Sequence, residues 1–215
     1  MRYDVLIVDE AQDLLQDWYE ILETTLRDEA SSQIWLFLDD NQQVYSRAFT
    51  IPAGYGIYHL TRNCRNTIAI HEQVKDAYTG TIEIESQGPP GRPVEFLADT
   101  TNQPAAVAGV IERLVDEEGV SPHDIVVLSP HRVGSPSSEV ANQPGRFCFV
   151  HGEPKRSDEV RFSSIKAFKG LEAPVVIVCE LDHLSHEQAQ NEIYVAYSRA
   201  KNHLVVVGAR ENMEV

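Results

Sequence analysis

Short apolar runs punctuate the chain at 5–8, 34–38, 57–60, 94–97, 125–128, 147–150, 175–178 and 204–207. Each is too short for a helix and too continuous for a strand wetted on one face. The pattern predicts strands buried on both sides in a parallel sheet covered by helices. Between several runs lie helical periods. Leu14, Trp18, Leu22 and Leu26 share one face at i+4 spacing, with Asp13 placed to cap that helix. Residues 105–115 and 192–201 read as two more helices. Strand alternating with helix predicts an α/β layered fold. The stretch 87–93, Gln-Gly-Pro-Pro-Gly-Arg-Pro, reads as a rigid connector, and 134–145 as the most flexible loop. No internal repeat or low-complexity tract is visible.

Composition changes this picture little. The length of 215 residues suits one large domain, or one domain plus part of another. No apolar run approaches the roughly 18–20 residues of a membrane span, and the start is not that of a signal peptide. Cys64, Cys148 and Cys179 stand far apart, which suggests neither zinc nor disulfides and points to a reduced, cytoplasmic setting. The net charge of −15 argues against a free-standing, high-affinity nucleic-acid binder. Residues 146–170 nevertheless gather Arg146, Lys155, Arg156, Arg161, Lys166 and Lys169, so a local basic face is compatible with the sequence.

Chemistry first surfaces at the end of the first run, where Val-Leu-Ile-Val delivers Asp9 and Glu10. Ligands of open parallel sheets bind beyond the carboxyl ends of the strands. An Asp there can hold Mg²⁺ through water while its Glu neighbour orients and deprotonates a water. Acids decorating a helix start would look the same. The second run likewise ends in Asp39-Asp-Asn-Gln42-Gln-Val-Tyr45, where Gln can both donate to a phosphate and accept from water, or merely furnish a turn. Two other groupings carry alternatives: His183 and His186 as metal ligands or a polar loop, and Lys155-Arg156 as a phosphate contact or a surface turn.

Five segments in order carry a family resemblance: Asp9-Glu-Ala-Gln-Asp13, Asp39-Asp-Asn-Gln-Gln-Val-Tyr45, Leu60-Thr-Arg-Asn-Cys-Arg-Asn-Thr67, Ser164-Ile-Lys-Ala-Phe-Lys-Gly-Leu-Glu172 and Tyr194-Val-Ala-Tyr-Ser-Arg-Ala200. They resemble motifs II to VI of the UvrD/Rep-like superfamily 1 DNA helicases. The resemblance implies a RecA-like, P-loop NTPase-type parallel sheet with flanking helices. Residues 1–56 would be the end of the first lobe and 57–215 the second lobe. It implies ATP and Mg²⁺ as cofactors, Asp9 as the metal-holding acid and Glu10 as the catalytic base. Gln42 and Tyr45 would link nucleotide to bound strand, and Arg65 and Arg199 would be arginine fingers. Gly170 and Glu172 would lie on the nucleotide side, and Ser164, Lys166 and Lys169 on the backbone of single-stranded DNA, with RNA left open. Lys166 stands where relatives commonly have His, and Cys64 where many have Tyr.

None of the twelve glycines is followed by Lys, so no G-x-x-x-x-G-K-[ST] loop is present. The resemblance therefore implies part of an ATP-dependent helicase or translocase, inactive alone, with the first-lobe core supplied in cis or in trans. A homodimer through an exposed sheet edge is a further expectation. The alternative is a non-catalytic, helicase-like binding or regulatory module.

Overall fold

The computed structural model describes residues 2–28, 30–39, 42, 50–51, 54–98, 102–143, 145–184 and 186–208. Contacts divide the chain into two compact units, Met1–His59 and Leu60–Val215.

In the first unit, strands β1 (Val5–Val8) and β2 (Gln33–Leu36) pair in parallel, Ile7 opposite Trp35. Neither strand is buried on both faces, contrary to the expectation from its apolar run. Val5, Ile7 and Trp35 stand exposed, Ile7 at 66%, because among the described residues only one side of this sheet is covered. The helix α1 (Gln16–Glu23) starts later than its periodicity suggests. A 3-10 turn at Ala11–Asp13 precedes it, so Asp13 lies in that turn and Leu15 occupies the cap position without a side-chain bond. The delay rotates the helix: Tyr19 is its buried residue, while Trp18 is exposed. The Tyr19 hydroxyl lies between Glu23 and Tyr55, and burial raises its pKa.

The second unit contains, in order, β3 (Arg62–Asn63), α2 (Ile68–Asp76), β4 (Glu85–Ser86), β5 (Glu95–Leu97), α3 (Gln103–Asp116), β6 (Ile125–Ser129), α4 (Glu139–Asn142), β7 (Cys148–Val150), β8 (Glu159–Ser164), β9 (Ala173–Val178), α5 (His186–Ser198) and β10 (Ala200–Val207). Six of these strands form a parallel sheet in the order β5-β10-β9-β6-β8-β7, while β3 and β4 pair separately. Here the expectation of buried strands holds in the centre of the sheet, with β6 buried at every position. It does not hold for the runs 94–97 and 147–150, which form the edge strands β5 and β7 and leave Phe96 and Cys148 exposed. Helix α3 is capped by Asn102, whose side chain accepts from the Ala105 N–H. It lays Val107, Val110, Ile111 and Leu114 onto Val127, Phe162, Ile177 and Val205 of the sheet. Helices α2 and α5 pack on each other and on β10.

Several expectations shift. The run 57–60 forms no strand; Tyr58 and Leu60 are 87% and 82% exposed, with no sheet neighbour to cover them. Strand β8 is missing from the apolar runs because Glu159, Arg161 and two serines interrupt it. Helix α5 is displaced towards its N-terminus and includes His186, so the stretch around the two histidines is a 3-10 turn followed by a helix. The segment 134–145 contains α4 and the buried Ser138.

Candidate functional site

Two groups of candidate residues form, one in each unit. In the first, Asp9 directly follows β1, and Glu10 adopts a left-handed φ of 51°. That conformation costs a non-glycine residue about 1–2 kcal/mol. The turn is held by Gln12, which is buried: its Nε2 donates to Glu10 Oε2, and its Oε1 accepts from the Asp39 N–H at 3.1 Å. The Ala11 N–H donates to the Phe37 carbonyl at 2.8 Å, and Gln42 Nε2 donates to Asp39 Oδ2 at 2.8 Å. The ends of β1 and β2, with Glu10, Asp39 and Gln42, are thereby joined through one buried amide. The sequence shows Gln12 in plain view. Its signal is an amide two residues beyond the acid, able to donate and accept at once.

Asp9 is exposed, with Oδ1 accepting from the Glu10 N–H at 2.9 Å. An exposed carboxylate at a strand's end is a group that Mg²⁺ can take together with water and phosphate. Among the described residues no group of three or more His, Cys, Asp or Glu forms a ready cation cage. Tyr45 lies outside the described residues, as do the side chains of His183 and His186.

In the second unit, Arg65, Glu172, Arg199 and Lys201 converge. Glu172 accepts from Lys201 Nζ at 2.8 Å and pairs with Arg65 Nε at 3.2 Å. The hydrogen bond from Lys201 chiefly lowers the Glu172 pKa, with added Coulomb pull from Lys201, Arg65 and Arg199. Arg65 is half exposed. Arg199 is only 1% exposed and sits between α5 and β10. Its Nε donates to the Val195 carbonyl at 3.1 Å, Nη1 to the Leu171 carbonyl at 3.3 Å and Nη2 to Ser198 Oγ at 2.8 Å. A guanidinium at a helix C-terminus satisfies carbonyls that the helix leaves open.

The segment carrying Ser164 to Glu172 joins β8 to β9, strand to strand through a 3-10 turn at Lys166–Phe168, and not strand to helix. Gly170 has φ 79°, and a Cβ there would meet nothing within 4 Å. Within the protein its glycine answers the left-handed backbone and not a crowded approach. Ser164 Oγ accepts from the Ala167 N–H at 3.3 Å. Lys166 is exposed and lies 3.6 Å from Glu192 Oε1 on α5; burial raises the Glu192 pKa against the opposing pull of Lys166. Lys169 is half-buried. Arg156 pairs with Asp158 and Glu159 in a surface turn.

A further carboxylate escaped the sequence reading. Glu180, 5% exposed and left-handed at φ 61°, follows β9. It accepts from Ser129 Oγ, from Ser138 Oγ at 3.0 Å and from the Val140 N–H at 2.9 Å. Its own N–H donates to Gln103 Oε1 at 2.7 Å. One buried acid thus ties the 134–145 segment to β6, β9 and α3.

In fold the chain is similar to the C-terminal domain of a possible DNA helicase from Lactobacillus plantarum WCFS1, with a TM-score of 0.50 and 15% identity over 68% of this chain and 87% of that one. Residues 159–207, which span β8 to β10, match the family described as UvrD-like helicase C-terminal domain. No curated protein matches the chain.

Proposed function

We propose that the chain forms part of an ATP-dependent superfamily 1 helicase or translocase acting on single-stranded DNA. Residues 1–56 would contribute the end of the first RecA-like lobe, and 57–215 the second. The observation that carries this reading is the convergence of Arg65, Glu172 and Arg199 from three sequence-distant motifs within the second unit. Guanidinium groups stabilise the charge that develops on a transferring γ-phosphoryl group. In this reading Asp9 holds Mg²⁺, which neutralises phosphate charge, while Glu10 takes the proton of the attacking water and Gln42 orients it. Arg199 must exchange its carbonyl partners to reach a phosphate. Ser164, Lys166 and Lys169 contact the nucleic-acid backbone, Lys166 after leaving Glu192.

The bare face of the β1–β2 sheet supports a missing neighbour. Parallel sheets are covered on both sides, and Val5, Ile7 and Trp35 are exposed on one. The first-lobe core, carrying the P-loop in cis or in trans, would cover it; a second copy of this chain is the competing occupant.

One observation favours the second reading, a non-catalytic binding module: Arg199 is already satisfied by its own unit. ATP turnover by the chain alone, with saturating single-stranded DNA, tests the proposal. The expected result is no significant hydrolysis, because no P-loop amides or Lys are available to the phosphates. Turnover at ordinary P-loop ATPase rates would overturn it.

A further inference from the structure

Arg65 and Arg199 reside on segments far apart in sequence, yet one buried side chain lies against both. Asn66 is 1% exposed. Its Nδ2 donates to the Ser198 carbonyl at 3.2 Å and to the Ala200 carbonyl at 2.6 Å, the two carbonyls that flank Arg199. Its Oδ1 accepts from Asn63 Nδ2 at 2.8 Å. Asn63 Oδ1 in turn accepts from the Arg65 N–H at 3.0 Å and the Asn66 N–H at 3.2 Å. His71 fixes the orientation of this second amide. Its Nε2 donates to the Ile84 carbonyl at 3.1 Å, so Nδ1 is left to accept from Asn63 Nδ2 at 3.0 Å. We propose that Asn66 is a positioning residue that sets Arg199 relative to Arg65; this deepens the reading of both arginines as phosphate-stabilising groups and rests on it.

The chemistry is selective. Only a primary amide offers two N–H donors on one atom and an acceptor beside it. Aspartate, nearly the same shape, would turn a carboxylate towards two carbonyls. Asn66 also has no room to withdraw. The 87–93 connector crosses behind it, with the Ile68 N–H donating to the Pro89 carbonyl at 2.8 Å and the Ala69 N–H to the Pro90 carbonyl at 3.2 Å. A Cβ on Gly88 would come within 2.0 Å of the Asn66 carbonyl oxygen. The Gly-Pro-Pro-Gly strap therefore packs directly on the Asn66 backbone.

The test is hydrogen exchange by NMR on the full 215-residue chain, reading the Arg199 Nε–H and the backbone amides of β6 and β9. Asn66→Asp should speed exchange of the Arg199 Nε–H by about tenfold, the consequence of losing paired hydrogen bonds. Asn66→Ala should speed it less, and both should leave β6 and β9 protected. Gly88→Ala, which pushes on Asn66 from the strap, should loosen the same proton selectively. A larger effect from Asn66→Ala than from Asn66→Asp would mean that the residue only fills space, and the proposal would fall. Equal loss of protection throughout β6 and β9 would also overturn it. The readout needs no nucleotide, so a failure of the ATPase reading leaves this outcome unaltered and separately visible.

Discussion

At the end of β1 the chain runs through Asp9, a left-handed Glu10, a 3-10 turn at Ala11–Asp13 and an extended Leu14. At the end of β9 it runs through Cys179, a left-handed Glu180, a 3-10 turn at Leu181–His183 and an extended Leu184. These are the two non-glycine residues with positive φ among those described. The backbone device is the same, and the surroundings decide its use. Glu10 is half-buried beside an exposed Asp9 and accepts from one buried amide. Glu180 is closed over by two serines and a backbone amide. The strand-end turn that can present an acid to a ligand in one unit serves as an internal anchor in the other. No repeat is apparent in the sequence because a run of Val and Ile, one Glu and one Leu are all that the two stretches share.

The largest expected contrast is in stability. Glu180→Ala leaves two hydroxyls and an N–H buried without their acceptor, and should cost the second unit about 3 kcal/mol. Glu10→Gly relieves a left-handed residue but also removes the acceptor of the buried Gln12 amide. The two effects, each about 1–2 kcal/mol, oppose one another, and the first unit's stability should change little. The chain supplies its own probe: both tryptophans, Trp18 and Trp35, lie in the first unit. Urea unfolding followed by tryptophan fluorescence reports that unit, and far-UV circular dichroism adds the second. A Glu10→Gly effect on the first unit as large as that of Glu180→Ala on the second would break the comparison.

A smaller effect sharpens it through pH. Burial, aided by Arg92, lowers the pKa of His203 on β10 from its usual 6.5, against the pull of Glu95 and Glu118. Below about that value the unfolded chain takes up a proton that the folded chain resists. The second unit should therefore lose stability as pH falls from 6.5 and level off once His203 protonates in the fold. His203→Gln should flatten that part of the profile, measured by circular dichroism, while tryptophan fluorescence stays unchanged. Smaller still is the change at Lys166. Lys166→Ala should reduce the salt slope of single-stranded DNA binding by about 1, with little change in folding, as read by fluorescence anisotropy. An unaltered slope would remove Lys166 from the backbone contacts.

How much of this was legible depends on where the signal lies. The buried strands of the second unit announce themselves as unbroken Val and Ile runs, because both faces of β6 and β9 are apolar. Strand β8 does not, since Glu159 pairs with the adjacent turn and Ser163 and Ser164 serve the strand's end. The first unit's strands carry the same apolar signature although, among the described residues, every second position along them is exposed. Arg65, Glu172 and Arg199 were singled out through the family resemblance in motif order, and the fold brings them together. Asn66 and Glu180 were not, because their roles come from carbonyls and amides brought to them by distant segments.

The most direct test joins the chain to a polypeptide bearing the P-loop strand and its helix, and measures ATP turnover with saturating single-stranded DNA. Hydrolysis should appear only when both parts are present, and should be lost in Glu10→Gln and in Arg199→Ala. Turnover by the chain alone, or joined turnover that survives both substitutions, would contradict the account.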